Sequence, residues 1–153
     1  MEKSIWKEIT HNLIPNISFN LSTFGKSQQE CLEIDIKYLL IVAHKFKSEP
    51  TIELNWLENL SAYVLNNEII FTYFIRSWTT QNTIIMRVRL PFKKANLVKI
   101  PSVTSVWLMA NLFEEEISDL MGVVFYNNEN VKTVNSIKRS TLPDTITGYP
   151  LLK

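Results

Sequence analysis

"EIIFTYFIR" (Glu68 to Arg76) and "TIIMRVRL" (Thr83 to Leu90) are two runs of β-branched and aromatic residues with the polar "SWTTQN" between them. Such side chains fit a pleated, half-buried surface, and runs of this length bounded by turn residues read as strands. Asn66 and Asn67 stand just before the first run and just after "SAYVL", and asparagine tolerates the left-handed backbone of a tight turn. The stretch therefore predicts an antiparallel meander of at least three strands. By the two-residue period, Arg87 and Arg89 share one face of the last strand, while Met86, Val88 and Leu90 share the other. The plain reading of that arginine pair is a solvated surface pair; the sharper one is a basic face offered to a partner.

Working outward, Ile5, Trp6, Ile9 and Leu13 recur at helical spacing until Pro15 interrupts them. "CLEIDI" (Cys31 to Ile36) alternates like a short strand, and "KYLLIVAHKF" fits a helix with Tyr38, Ile41, Val42 and Phe46 inward. After Pro50, "LNWLENL" reads as a short helix or turn leading into "SAYVL". The resulting fold class is α+β, with helices packed on a mainly antiparallel sheet. Residues 1–140 are expected to form one domain, and residues 141–153 an extended C-terminal tail docked on a partner. Beyond Pro143 there are too few consecutive apolar residues for that tail to fold alone. A chain of 153 residues is long enough to bury roughly 70% of the surface its unfolded form exposes.

Sixteen basic residues balance fifteen acidic ones, so the basic excess that normally marks a nucleic-acid binder is missing. Cys31 is the only cysteine. One thiol forms no internal disulfide and holds no zinc or iron–sulfur centre by itself. It reads as a small buried or half-buried hydrophobe in a reducing compartment. His11 and His44 have no partner at metal-ligand spacing and read as surface or satisfied histidines. "MEKSIWKEIT" carries charges where a signal peptide would have an apolar core, and "YLLIVA" is far shorter than the ~20 residues that span a bilayer. The expectation is a soluble protein, or one held at a membrane through its partners.

"PSVTSVWLMANLFEEEISDLMGVVF" (Pro101 to Phe125) predicts a helix from about Val106, capped by Ser102, Thr104 or Ser105 and ended by Gly122. On a 3.6-residue period, Val106, Met109, Ala110, Phe113, Ile117, Leu120 and Met121 form the core arc. Glu114 and Glu116 lie at its two edges, with Glu115 and Asp119 outside it. Trp107, Leu108 and Leu112 fall among the acids, where a free surface helix would be polar. A helix apolar on one face and mixed on the other is expected to be covered twice, by its own sheet and by something else. Glycosidase-type acid–base chemistry needs two carboxyls facing across a cleft; Glu114 and Glu116 point to nearly opposite sides of the helix and do not converge.

This stretch resembles the C subunits of the respiratory NADH:quinone oxidoreductase (complex I), a family with relatives in membrane-bound hydrogenases and formate hydrogenlyase-like complexes. The resemblance is carried by Pro101, Ser102, Val103, Thr104, Trp107, Ala110, Glu114, Glu116, Asp119, Leu120, Gly122 and Phe125. A second match closes the chain: Lys138 and Arg139, then "LPDTITGYPLLK" with Leu142, Pro143, Asp144, Gly148, Tyr149, Pro150, Leu151 and Lys153. It extends loosely back to about Leu57. Three departures stand out. Glu115 replaces the family's usual arginine, the His-Pro-Asp before the basic pair is absent, and "YNNENVKTVNS" is several residues longer than usual.

The resemblance implies a subunit with no catalytic centre, cofactor or metal of its own. Its partners would be the hydrogenase-like large (quinone-site) subunit and the iron–sulfur small subunit, with iron–sulfur clusters, flavin and quinone held on partner subunits. Nucleic acid is not among the expected partners, and membrane contact would be indirect. The place would be the cytoplasmic face of a cell membrane, or the matrix face of the mitochondrial inner membrane in an organelle. The expected interface comprises Trp107, Leu108, Leu112, Glu114, Glu116, Asp119, Lys138, Arg139, Tyr149 and Leu151. Trp107 and Tyr149 would be its aromatic anchors, and the acids would pair with basic groups within the chain or on the partner. The alternatives are the same module in a membrane-bound energy-converting hydrogenase or formate hydrogenlyase-like complex, an enzyme using Glu114 or Glu116, and a binding module with no redox partner.

Overall fold

The computed structural model describes residues 3–17, 20–26, 29–93 and 96–128. In chain order the elements are α1 (Lys3–Leu13), β1 (Asn20–Phe24), β2 (Gln29–Ile34), a 3-10 turn (Ile36–Tyr38) and α2 (Leu39–Ser48). They continue with β3 (Trp56–Leu65), β4 (Glu68–Arg76), β5 (Thr83–Pro91), β6 (Lys99–Pro101), α3 (Ala110–Met121) and β7 (Val124–Tyr126). A five-stranded sheet runs in the order β1-β2-β5-β4-β3, and β6 and β7 form a separate two-stranded pair. The large sheet is antiparallel except at β2–β5. Helices over a mainly antiparallel sheet agree with the expected class.

The β3-β4-β5 meander forms as expected, and its first turn has a clear cause. Asn66 and Asn67 take φ values of 50° and 62°, the left-handed pair that a two-residue hairpin needs to match strand twist. Strand β3 overturns the helix or turn expected over "LNWLENL". It is one strand from Trp56 to Leu65, with a register shift between Leu57 and Asn59. The extra residue lets both Leu57 and Leu60 face the core, at 1% and 4% exposure. A bulge of this kind places two residues against one on the partner, so inward side chains end up three apart, as they would on a helix.

The α2 helix also differs in phase. Leu39, Val42, Ala43 and Phe46 are buried, whereas Ile41 is 51% exposed. The Asp35 carboxylate accepts the Lys37 N–H at 3.1 Å and begins the 3-10 turn that sets this phase. Tyr38 is half-buried and packs against the core from that turn.

One sheet face carries Leu32, Ile34, Ile69, Phe71, Tyr73, Ile75, Met86 and Val88 into a continuous core with residues of α2 and α3. The other face is also buried at Cys31, Ile70, Thr72, Ile85 and Arg87. Arg87 is therefore not the solvated surface residue expected of it. It is 6% exposed and stands opposite Glu33 in the β2–β5 ladder. The Glu33 carboxylate accepts from Arg87 Nη1 at 3.2 Å, from Arg89 Nη2 at 2.9 Å and from Ser22 Oγ at 3.3 Å. His11 and His44 are exposed and Cys31 is buried. The expected tail over 141–153, and the domain limit at 140, lie outside the described residues.

Candidate docking site at the third helix

The segment before α3 decides what the helix presents. Ser102 N–H donates to Tyr126 O across the β6–β7 end, and Val106 and Trp107 N–H groups both fold back to Val103 O. This turn carries the chain to Met109, and α3 begins at Ala110 without a side-chain cap. The helix is thus one turn shorter than expected, because Ser102 is engaged elsewhere. Its other end agrees with expectation: Gly122 closes it with φ 71° and donates to Ser118 O at 2.9 Å. Glycine takes that left-handed conformation without a Cβ penalty.

Trp107 is consequently placed in the chain's own core rather than on the outer face. It is 2% exposed, and its indole Nε1 donates to Leu54 O at 2.9 Å. The chain itself thus encloses the side chain that the sequence placed on the outer face. The correction has a simple cause: Trp107 precedes the helix, so the helical period does not assign its direction.

The buried face of α3 is also rotated from the expected arc. Ala110, Glu114, Ile117, Ser118 and Met121 are buried, while Met109 and Leu120 are 37% and 36% exposed. Glu114 sits wholly inside. Its Oε1 accepts the Val103 N–H at 2.8 Å, and its Oε2 accepts Ser102 Oγ at 2.7 Å and Asn128 Nδ2 at 2.8 Å. Burial pushes its carboxyl up, and the bonds from Asn128, Ser102 and Val103 oppose that. The Tyr73 hydroxyl is raised well above its ordinary value by its own burial and by the Glu114 charge. Glu114 is therefore an internal strut, inside the core and not at the edge of the buried arc where the sequence placed it. Ser102 and Asn128 are the functional partners that the sequence did not reveal; the one available signal was a glutamate four residues after Ala110, on the buried stripe.

On the outside, Leu108 is 84% exposed and Leu112 60% exposed. Glu116 is exposed, and Glu115 and Asp119 are half-buried. Asn111 Nδ2 reaches Glu115 Oε1 at 3.4 Å, and among the described residues no basic side chain forms an ion pair with Glu115 or Glu116. An open groove of about 580 Å³ beside the helix is lined by Thr104, Leu108, Met109, Leu112, Asn127 and Asn128 among others. Leu108 in the turn before α3 and Leu112 and Glu116 on the helix are thus exposed, whereas Asp119 is half-buried with its Oδ1 out of solvent. Lys138, Arg139, Tyr149 and Leu151 lie outside the described residues. Among the described residues no group of three or more His, Cys, Asp or Glu side chains is placed to hold a metal ion, and no helix is long and apolar enough to cross a membrane.

The chain's fold is similar to one chain of a membrane-bound sulfane sulfur reductase, an archaeal respiratory membrane complex. The TM-score is 0.65 at 16% identity, covering 84% of this chain and 72% of that one. In sequence it is 29% identical over 115 residues to the NADH-quinone oxidoreductase C subunit of Roseiflexus sp. (strain RS-1), covering 73% of this chain and 61% of that protein. It is 33% identical over 101 residues to the corresponding C subunit of Moorella thermoacetica, covering 65% and 62% respectively. The chain thus spans about three fifths of the length of these curated relatives. Residues 32–153, from β2 through α3 and onward, match the family model of the respiratory-chain NADH dehydrogenase 30 Kd subunit. With most of its length inside that match, the chain belongs to the respiratory-chain NADH dehydrogenase 30 Kd subunit family.

Proposed function

We propose that this chain is a non-catalytic structural and assembly subunit in the peripheral arm of an NADH:quinone oxidoreductase. It docks through the outer side of α3 on the hydrogenase-like, quinone-site large subunit, close to the small subunit that bears an iron–sulfur cluster. Clusters, flavin and quinone belong to those partners, and the chain reaches the membrane only through them, on the cytoplasmic or matrix face. The observation that carries this reading is the pairing of exposed Leu108 and Leu112 with Glu115 and Glu116, which have no ion-pair partner among the described residues. Burying two such leucines is worth roughly 1.5–3 kcal/mol each. The acids call for arginine or lysine around an apolar pocket on the partner.

A second reading keeps the module and changes the complex to a membrane-bound energy-converting hydrogenase or a formate hydrogenlyase-like assembly. The observation behind it is that the same fold recurs in a chain of a respiratory complex that is a sulfane sulfur reductase.

The test is purification of the tagged full chain from its native membrane in mild detergent, with mass spectrometry of what accompanies it. A hydrogenase-like large subunit and a cluster-bearing small subunit are expected, and Leu108→Asp with Leu112→Asp should remove them. A flavin-containing NADH module or a nickel site among the remaining partners identifies the complex. A monomeric chain recovered alone overturns the assembly role.

A further inference from the structure

Glu114 is fully buried and forms no ion pair among the described residues, yet three donors from two separate segments converge on it. Ser102 and Val103 belong to the turn that leads to Thr104, and Thr104 and Asn128 both line the groove. Ser102 has one hydroxyl proton, and it goes to Glu114 Oε2 at 2.7 Å. In the 2.7 Å contact between Ser102 Oγ and Thr104 Oγ1, Thr104 is therefore the donor. The Thr104 N–H also donates to Ser102 Oγ at 3.2 Å. A directed chain of hydrogen bonds thus runs from Thr104 through Ser102 to Glu114, and Asn128 closes it from the other side.

An ionised carboxylate is suited to this place because it accepts only. Glutamine would keep one acceptor oxygen and put an NH2 at the place of Oε2, so that Ser102 Oγ and Asn128 Nδ2 lose the shared acceptor they have here. Burying a carboxylate is unfavourable even with three hydrogen bonds to offset it, and a purely apolar stripe on α3 would serve the core better. What the carboxylate adds is a fixed spacing between two segments otherwise joined by the short parallel β6–β7 pair, three residues on each strand, and by the Ser102 N–H to Tyr126 O bond at its end.

We infer that Glu114 is the positioning residue of the docking site: it touches no partner, and it holds Thr104 and Asn128 at the separation that shapes the groove beside Leu108 and Leu112. This rests on the docking function proposed above. It places the family-matching glutamate on the inside of the site, acting through Ser102, Val103 and Asn128.

The test compares partner recovery from native membrane for the wild-type chain, Glu114→Gln, Asn128→Ala and the exchanged pair Glu114→Gln with Asn128→Asp. Ile84→Val, a core change on β5 away from the groove, controls for lost stability. Each single variant is expected to lower recovery of the large subunit roughly tenfold, the effect of losing about one charge-assisted hydrogen bond. The exchanged pair should restore it to within about threefold of wild type. In that pair the new amide NH2 can donate to the new carboxylate at position 128, while the amide oxygen keeps the Val103 N–H. Ile84→Val should leave recovery unchanged at equal loss of thermal stability. Recovery that follows melting temperature alone, or equal recovery from all variants, overturns the positioning role while the docking function stands. If the wild-type chain brings no partner, the docking function itself fails.

Discussion

Arg87 and Glu33 face each other across the β2–β5 ladder, with Nη1 3.2 Å from Oε1 and the arginine side chain 8% exposed. This is the only parallel pairing in the large sheet, and it joins strands far apart in the chain. Parallel pairing is slightly less stable per residue than antiparallel, and buried Arg87 with half-buried Glu33 ties the two strands at that seam. Arg89, on the same face, adds a second bond to the same oxygen at 2.9 Å. Glu33→Gln is expected to lower folding stability by about 1.5–3 kcal/mol, as for hydrogen bonds to charged groups. Urea unfolding followed by circular dichroism measures it; a change below ~0.5 kcal/mol would deny the pair that role.

The pH dependence separates the two carboxylates. Partial burial of Glu33 acts upward, but the bonds and charges of Arg89 and Arg87 outweigh it and hold its carboxyl below the ordinary 4.5. Its stabilisation is present above 4.5 and is lost as pH falls through the folded value. For Glu114 burial prevails and the folded value lies above 4.5. The folded chain then binds the proton more tightly than the unfolded one. Stability from Glu114 therefore declines as pH rises from 4.5 through the folded value, and is level beyond it. Unfolding free energies across about pH 3–8 should lose the low-pH fall in Glu33→Gln and the decline above about 4.5 in Glu114→Gln.

Trp107 is enclosed in the core with its indole N–H on Leu54 O. Trp107→Ala should lower stability by about 3–5 kcal/mol, the range for deleting a large buried aromatic. Trp107→Phe keeps most of the packing and leaves Leu54 O without its donor, a loss of about 1–3 kcal/mol. Denaturant unfolding of both variants distinguishes packing from the hydrogen bond.

The Tyr73 hydroxyl is buried with no hydrogen-bond partner among the described residues, on a side chain that is wholly inside. Tyr73→Phe removes a desolvated polar group and retains the ring. Stability should rise or stay within about 1 kcal/mol of wild type, and thermal unfolding tests the sign.

Asn67 holds φ at 62°. Glycine reaches that region with no steric penalty, and Asn-Gly is the strongest two-residue hairpin pair. Asn67→Gly should raise the melting temperature slightly, by an amount corresponding to about 0.5 kcal/mol, while Asn67→Val should lower it by more.

The meander was readable because its information is local: a two-residue period and an asparagine pair at the turn. The β2–β5 pairing was not, since nothing near Glu33 points to Arg87, 54 residues later. The extra residue in β3 gave Leu57 and Leu60 a helical spacing inside a strand. The outer leucines of α3 were legible as apolar residues among acids. Trp107 was misplaced because the helix starts after it. The burial of Glu114 depends on Ser102 and Asn128, 12 and 14 residues away, and a lone glutamate in a charge run gives no sign of either.

Strand β3 ends the sheet, and its last residues carry the exposed side chains of Tyr63, Val64 and Leu65. A free, regular edge of that kind is a template on which another chain can add a strand. The register shift between Leu57 and Asn59 breaks the regularity of that edge. Deleting Glu58 would keep Leu57 and Leu60 inward and straighten the edge into one uninterrupted ladder. A strand added from outside would therefore meet a broken ladder at Leu57 to Asn59, before it reached the exposed Tyr63, Val64 and Leu65.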